Sequence, residues 1–297
     1  MHQGLHGGHD RWPRPNGFPA YRPLRLLLRL APRAPSRACC RDPRIVSVSR
    51  WIHTVRHRVT ARNMGEAGLV VALDEADVRT IVEVNEYCGE SAIRLCPTQL
   101  GLAYSERRKR QIVAEWVEFL AAGPTPITTL YLVTRTPKRL FAALAGQPQL
   151  TALQVKWGDY DDLAALSGMR DLVTLRLRGA SGVTTLQPLT SLTNVRELQV
   201  EGLRGVVDAS PIGAMVGVEN LELGGNWMTP KNVHVPSLSF LREMPQLRHL
   251  LLHTLVVDDL DYLPLLSLNR LEKIRVMAVR GMRPTIGELR SSLPWDA

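Results

Sequence analysis

Leu172-Val-Thr-Leu175-Arg-Leu177, near the middle of the chain, decides the fold because its pattern recurs. The same apolar–x–x–apolar–x–apolar frame stands at residues 127–132, 150–155, 195–200, 218–223, 247–252 and 271–276. Its central positions, from Leu130 to Ile274, are spaced 23, 22, 23, 23, 29 and 24 residues apart. A period of that length marks stacked structural units rather than one irregular core. Within each frame the last two apolar residues are two apart. On a strand they point the same way, and the residue between them points to the opposite face.

A second pattern precedes the strands. Ten residues before the frames that start at 172, 195, 218, 247 and 271 stand Asp162, Thr185, Asp208, Ser237 and Asp261. Each has a short side-chain oxygen able to accept an orphan N–H at a helix start. Apolar residues come one, four and seven positions later, as in Leu186, Leu189 and Leu192. Steps of three suit a short 3₁₀ or α turn laid on the core side of the strand. The first copy departs, with Leu140 in place of a cap and Gln147 at the third apolar position. Each unit therefore reads strand, bend, short helix, return. One unit cannot bury its apolar side alone, so the strands must stack in parallel around a shared core.

The frame and the period resemble the leucine-rich repeat family. The 22–23-residue length is similar to the subclass of bacterial internalins and phosphatase regulators. The resemblance implies an α/β fold, a right-handed solenoid with parallel strands on a concave face and short 3₁₀ or α turns on a convex one. It also implies a surface for partners rather than a catalytic centre. One family feature is missing. Three residues past the last strand leucine the family carries Asn, whereas this column reads Arg135, Gly158, Ala180, Leu203, Asn226, Leu255 and Val279. The bend after the strand is therefore expected to be less regular.

The net charge of +9 is unevenly placed. Residues 1–62 hold thirteen Arg and no Lys against Asp10 and Asp42, so the rest of the chain is slightly acidic. Residues 1–63, with seven prolines, read as a disordered tail. Three origins stay open for it: a functional segment, an Arg-rich targeting peptide, or sequence upstream of a start at Met64. No stretch reaches the 18 apolar residues of a membrane span. Cys39, Cys40, Cys88 and Cys96 form no metal or disulfide spacing, and no N-x-S/T acceptor occurs. Both features favour a reducing, cytoplasmic setting.

Residues 64–126 read as a small α/β cap on the array, because a solenoid end otherwise exposes its core. Leu69-Val-Val-Ala-Leu73 is a short apolar run, and a helix is expected from Asp74 to about Tyr87. Ile93 and Leu95 repeat the apolar–x–apolar strand pair. Ser105 should cap a helix over 106–122, with Ile112, Val113, Trp116, Phe119 and Leu120 on one face and Gly123-Pro124 as its stop. The repeats then span 127–279, and residues 280–297, which include the segment Ile286–Leu293, cap the other end.

The sequence holds no zinc-protease, nucleophile-elbow, phosphate-loop or dinucleotide motif, and none implies a cofactor. His249 and His253, four apart on a strand, stand about 13 Å apart at roughly 3.3 Å per residue, too far to share one ion. They read as surface histidines. Asp258 and Asp259 read as solvated loop acids, Asp261 as a cap. His2, His6 and His9 offer only loose metal contacts.

On the concave face the middle column reads Tyr131, Gln154, Arg176, Gln199, Glu222, Leu251 and Arg275. Its flanks add Lys156, Arg178, Glu197, Glu201, His249, His253 and Lys273. Basic, acidic and again basic zones succeed one another. A nucleic-acid groove would be of one sign, whereas alternating zones suit a polypeptide of complementary charge. Arg178 and Glu201 share a position on neighbouring strands, so internal pairing is the competing reading. The longer fifth repeat places extra residues within 224–236, where a projecting loop is expected. Trp227 in that loop and Trp157 at the same edge are candidate anchors, or else tucked under loops. The expected function is noncatalytic recognition of a protein partner. The alternatives are binding of nucleic acid or an acidic surface through the Arg-rich tail, and an enzyme with an unrecognised site.

Overall fold

The computed structural model describes residues 75–226 and 231–295, all within the compact unit Val59–Ala297. The tail, the 69–73 apolar run and Trp227 lie outside the described residues. In chain order come β1 (Thr80–Ile81), β2 (Ala92–Leu95), α1 (Glu106–Ala121), β3 (Thr129–Thr136), α2 (Lys138–Ala143), β4 (Ala152–Gly158) and β5 (Thr174–Leu177). After them come β6 (Glu197–Glu201), β7 (Asn220–Gly224), β8 (Val233–Val235), β9 (His249–His253), β10 (Leu255–Val257), β11 (Lys273–Val276) and α3 (Ile286–Ser292).

Nine strands form one parallel sheet in the order β1-β2-β3-β4-β5-β6-β7-β9-β11. The central frame residues pair in register as one row: Leu130, Leu153, Leu175, Leu198, Leu221, Leu250 and Ile274. All are buried, as are the partners two residues on, such as Val155, Leu177 and Val200. Short 3₁₀ turns, for example Gln187–Ser191 and Ser210–Ala214, lie between the strands. Their apolar residues at steps of three are buried in the same core.

The polar column works as its chemistry demands. Asp162, Thr185, Asp208, Ser237 and Asp261 each accept the backbone N–H two residues on, at 2.8, 3.2, 2.8, 3.1 and 2.9 Å. That N–H belongs to the first residue of each 3₁₀ turn, so a donor without an internal partner is satisfied in all five copies.

Gln147, which breaks the apolar column, is buried and polar for a reason. Its Nε2 donates to the Leu120 and Gly123 carbonyls at 2.6 and 2.7 Å. Its Oε1 accepts from the Thr125 amide and hydroxyl at 3.2 and 2.7 Å. The side chain thus satisfies the carbonyl end of α1 and the chain leaving it. At the other end of α1, the Ser105 hydroxyl accepts from the Arg108 amide at 3.2 Å. Ile112, Val113, Trp116 and Leu120 are buried as the helical period requires, and Phe119 meets Trp116 edge-on.

The helix expected from Asp74 to Tyr87 does not form as one element. Two 3₁₀ turns, Glu75–Asp77 and Val84–Glu86, flank β1 instead. Residues 78–84 are rich in β-branched side chains, which lose rotamer freedom in a helix. In β1 the buried Ile81 pairs with Leu95.

The insertion in the fifth repeat is not wholly a projecting loop. Its second half forms β8, which pairs in parallel with β10, placing the buried Val233 and Val235 opposite Leu255 and Val257. At the bends, Ala180, Leu203 and Leu255 are buried apolar residues where the family has amides. The backbone is bonded directly between units, as in Ala180 N–H to Glu201 O at 2.8 Å and Gly202 N–H to Gly224 O at 2.9 Å.

The open face of the sheet as candidate site

The middle column stands side by side across the open face: Tyr131, Gln154, Arg176, Gln199, Glu222, Leu251 and Arg275 are neighbours in register. The face is less exposed than its polar composition predicts. Tyr131, Gln154, Gln199, Glu201 and His253 are buried; Arg176, Glu222 and His249 are half-buried; Lys156, Arg178 and Arg275 are exposed. Strands lie about 4.8 Å apart, so long side chains on neighbours cover one another.

His253 is therefore no surface histidine, being only 6% exposed. Gly224 on the neighbouring strand makes the room: a Cβ there would lie 2.2 Å from the His253 carbonyl oxygen and 2.6 Å from its ring Cε1. His253 Nε2 stands 3.3 Å from Glu222 Oε1. His249 lies against Asn220, and 3.6 Å from Glu272.

The internal pairing differs from the expected one. Arg178 and Glu201 form no ion pair; Glu201 accepts from Gln199 Nε2 at 2.6 Å. Arg176 instead reaches Glu197 diagonally across β5 and β6, with its Nη2 at 2.6 Å from Glu197 Oε1. Burial raises the Glu201 carboxyl to about 7, Glu222 adds to the rise, and His253, Arg178 and Gln199 oppose it. At the first strands, Gln154 Nε2 donates to Glu75 Oε2 at 2.7 Å, so the chain entering β1 lies against this face.

Trp157 is exposed at the edge, 38% accessible, with the Arg135 guanidinium 5.9 Å from its ring centroid. It is not tucked under a loop. A groove of about 230 Å³ crosses β6, β7, β9 and β11. Glu197 and Glu222 lie on its acidic side, Lys273 and Arg275 on its basic side, and Leu251 and His249 between. Lys273, Leu251 and Asn220 belong to the same columns as the predicted candidates; depth, which ranks them, is invisible in a column.

Strands in one register, a capped turn in five successive units, and a period near 23 residues now stand together. The fold is a leucine-rich-repeat solenoid. No family model and no curated protein matches the sequence. Solved structures do. An internalin (inlF) from Listeria monocytogenes is 22% identical, with a TM-score of 0.45, over 51% of this chain and 41% of its own length. An internalin C2 (inlC2) from the same organism is 19% identical, with a TM-score of 0.45, over 61% of this chain and 72% of its own. The plant peptide hormone receptor RGFR1, solved with RGF2, is 15% identical, with a TM-score of 0.40, over 53% of this chain and 25% of its own. These likenesses concern the fold alone; the register of the solenoid's own strands carries the assignment. Among its described residues, no His, Cys, Asp and Glu side chains gather as a metal site would need, and no helix is long and apolar enough to cross a membrane.

Proposed function

We propose that this chain is a noncatalytic recognition module whose open sheet face binds a polypeptide. The observation that carries the reading is the groove across β6, β7, β9 and β11, acidic on one side, basic on the other, with Leu251 at its centre. An extended segment carrying both signs of charge around an apolar residue complements it. Lys156, Trp157, Arg178 and Arg275 are exposed around the face and serve as its reach to the partner. Gln154, Gln199, Glu201 and His253 shape the floor. In the same reading residues 64–126 and 280–297 cap the array. The free thiols of Cys88 and Cys96 suit a reducing compartment.

The test uses the full chain as bait in native lysate, beside an Arg178→Glu/Arg275→Glu variant. Both side chains are exposed, so the variant should melt at the parent temperature. A protein retained by the parent and lost from the variant is the expected result. Equal retention by both baits would remove the face from the function.

A further inference from the structure

A second cavity lies away from the open face, where the bends after β5 and β6 meet the insertion beyond β7. It measures about 700 Å³ and is lined in part by Ser181, Gly202, Arg204, Lys231, Asn232 and His234. That volume is within the range of small-ligand sites. Its charge is one-sided. Arg204 and Lys231 bring two cations from distant parts of the chain, and no carboxylate of the described residues lines the space. Neither cation makes an ion pair among the described residues, unlike Arg135, Lys138, Arg176 and Arg196, each of which faces a carboxylate. His234 also lines the space, and its Nδ1 is already engaged by Asp258 Oδ1 at 2.7 Å. The backbone adds to the opening. Gly202 has φ +83°, and a Cβ there would stand 3.1 Å from the Ala180 nitrogen and 3.3 Å from the Ser181 nitrogen. The glycine's left-handed backbone lets the two bends approach this closely.

We propose that this cavity is a phosphate site that takes a phosphomonoester. A dianion matches two uncompensated cations, whereas a single carboxylate leaves one of them unanswered. The Arg204 guanidinium offers a planar fork for two phosphate oxygens, and Lys231 a point charge. The Ser181 hydroxyl and Asn232 amide are neutral donors for the remaining oxygen. The site shares no residue with the open-face groove, so it stands or falls independently of the peptide-binding reading. Two sources supply the same group: a phosphorylated serine or threonine on a polypeptide, and a free phosphate ester.

The experiment is calorimetric titration of the full chain with a phosphoserine peptide, its unphosphorylated twin and inorganic phosphate. Saturable binding of the phosphorylated probe and none of the twin is expected. The Arg204→Ala/Lys231→Ala variant should bind roughly tenfold or more weakly at an unchanged melting temperature. Arg139→Ala, an exposed cation that lines neither space, should bind as the parent does. A peptide bound more tightly than inorganic phosphate points to a phosphoprotein; equal binding points to a free phosphate ester. Absence of saturation by any phosphorylated probe below about 10 mM, or equal binding by the double variant, would overturn the proposal.

Discussion

Glu201 shows what a residue gains by standing in a stacked array. It is 5% exposed, shares a row with Gly224 and His253, and has Glu222 nearby. Its carboxyl stands at about 7 in the fold against an ordinary value of 4.5. The folded state therefore holds the proton more tightly than the unfolded one. The stability from this position is fully present below pH 4.5 and is lost as pH rises towards about 7. Glu201→Gln keeps an acceptor for Gln199 and cannot ionise. Its stability, read by urea denaturation, should lack that decline and exceed the parent's by about 1–2 kcal/mol at pH 8. Parallel curves for the two proteins would refute the burial argument. The column that places Glu201 beside Arg178 is plain in the sequence. That Gln199 and not Arg178 bonds to it is not, because side-chain reach depends on which neighbours fill the space. His253 teaches the same lesson. Its spacing from His249 places both on one face, and the repeat sets Gly224 beside it, but the depth of the ring that this glycine admits is not written in a column.

Strands and turns were far more legible, since each repeats its own signal. The Leu130–Ile274 row lies in register across seven strands, and the five capping side chains bond the turns that they precede. Leu198 at the centre of the row is 1% exposed. Leu198→Ala should cost about 2–5 kcal/mol in chemical denaturation, since neighbouring units cannot close the void. A loss well under 1 kcal/mol would place Leu198 outside the core. The elements that escaped prediction occur once only. The 74–87 segment has no second copy to compare, and its β-branched residues pair at the sheet edge. β8 arises inside an insertion, where the repeat gives no template. Gln147 breaks a column because it serves a helix rather than a strand. Gln147→Leu keeps the volume and strips the Leu120 and Gly123 carbonyls of their donor. It should destabilise by about 1–3 kcal/mol or more, with faster hydrogen exchange in α1. An unchanged midpoint would show that the two carbonyls find other donors.

On the scale of the whole molecule, each strand of the sheet meets only its neighbours in the array, and nothing closes the sheet on itself. Stability in such a structure is close to a sum of units and of the interfaces between them. The last unit is then held by the C-terminal segment. Beyond β11 the Ile274 amide bonds to Pro294 O at 3.0 Å, and Trp295 pairs as a bridge with Ile274. α3 starts with Thr285 and Glu288 capping one another and buries Leu289. Leu289→Ala removes the apolar anchor of that closing segment. If coupling runs only between neighbours, amide exchange should accelerate in β11 and β9 while β3, β4 and β5 stay at the parent's rates. A uniform acceleration from β3 to β11 would instead show one cooperative unit, in which loss at one end is felt along the entire sheet. The two outcomes also bear on recognition, because the groove crosses β6, β7, β9 and β11. With nearest-neighbour coupling, a partner seated there should steady the end of the array and slow exchange in α3, a site it need not touch.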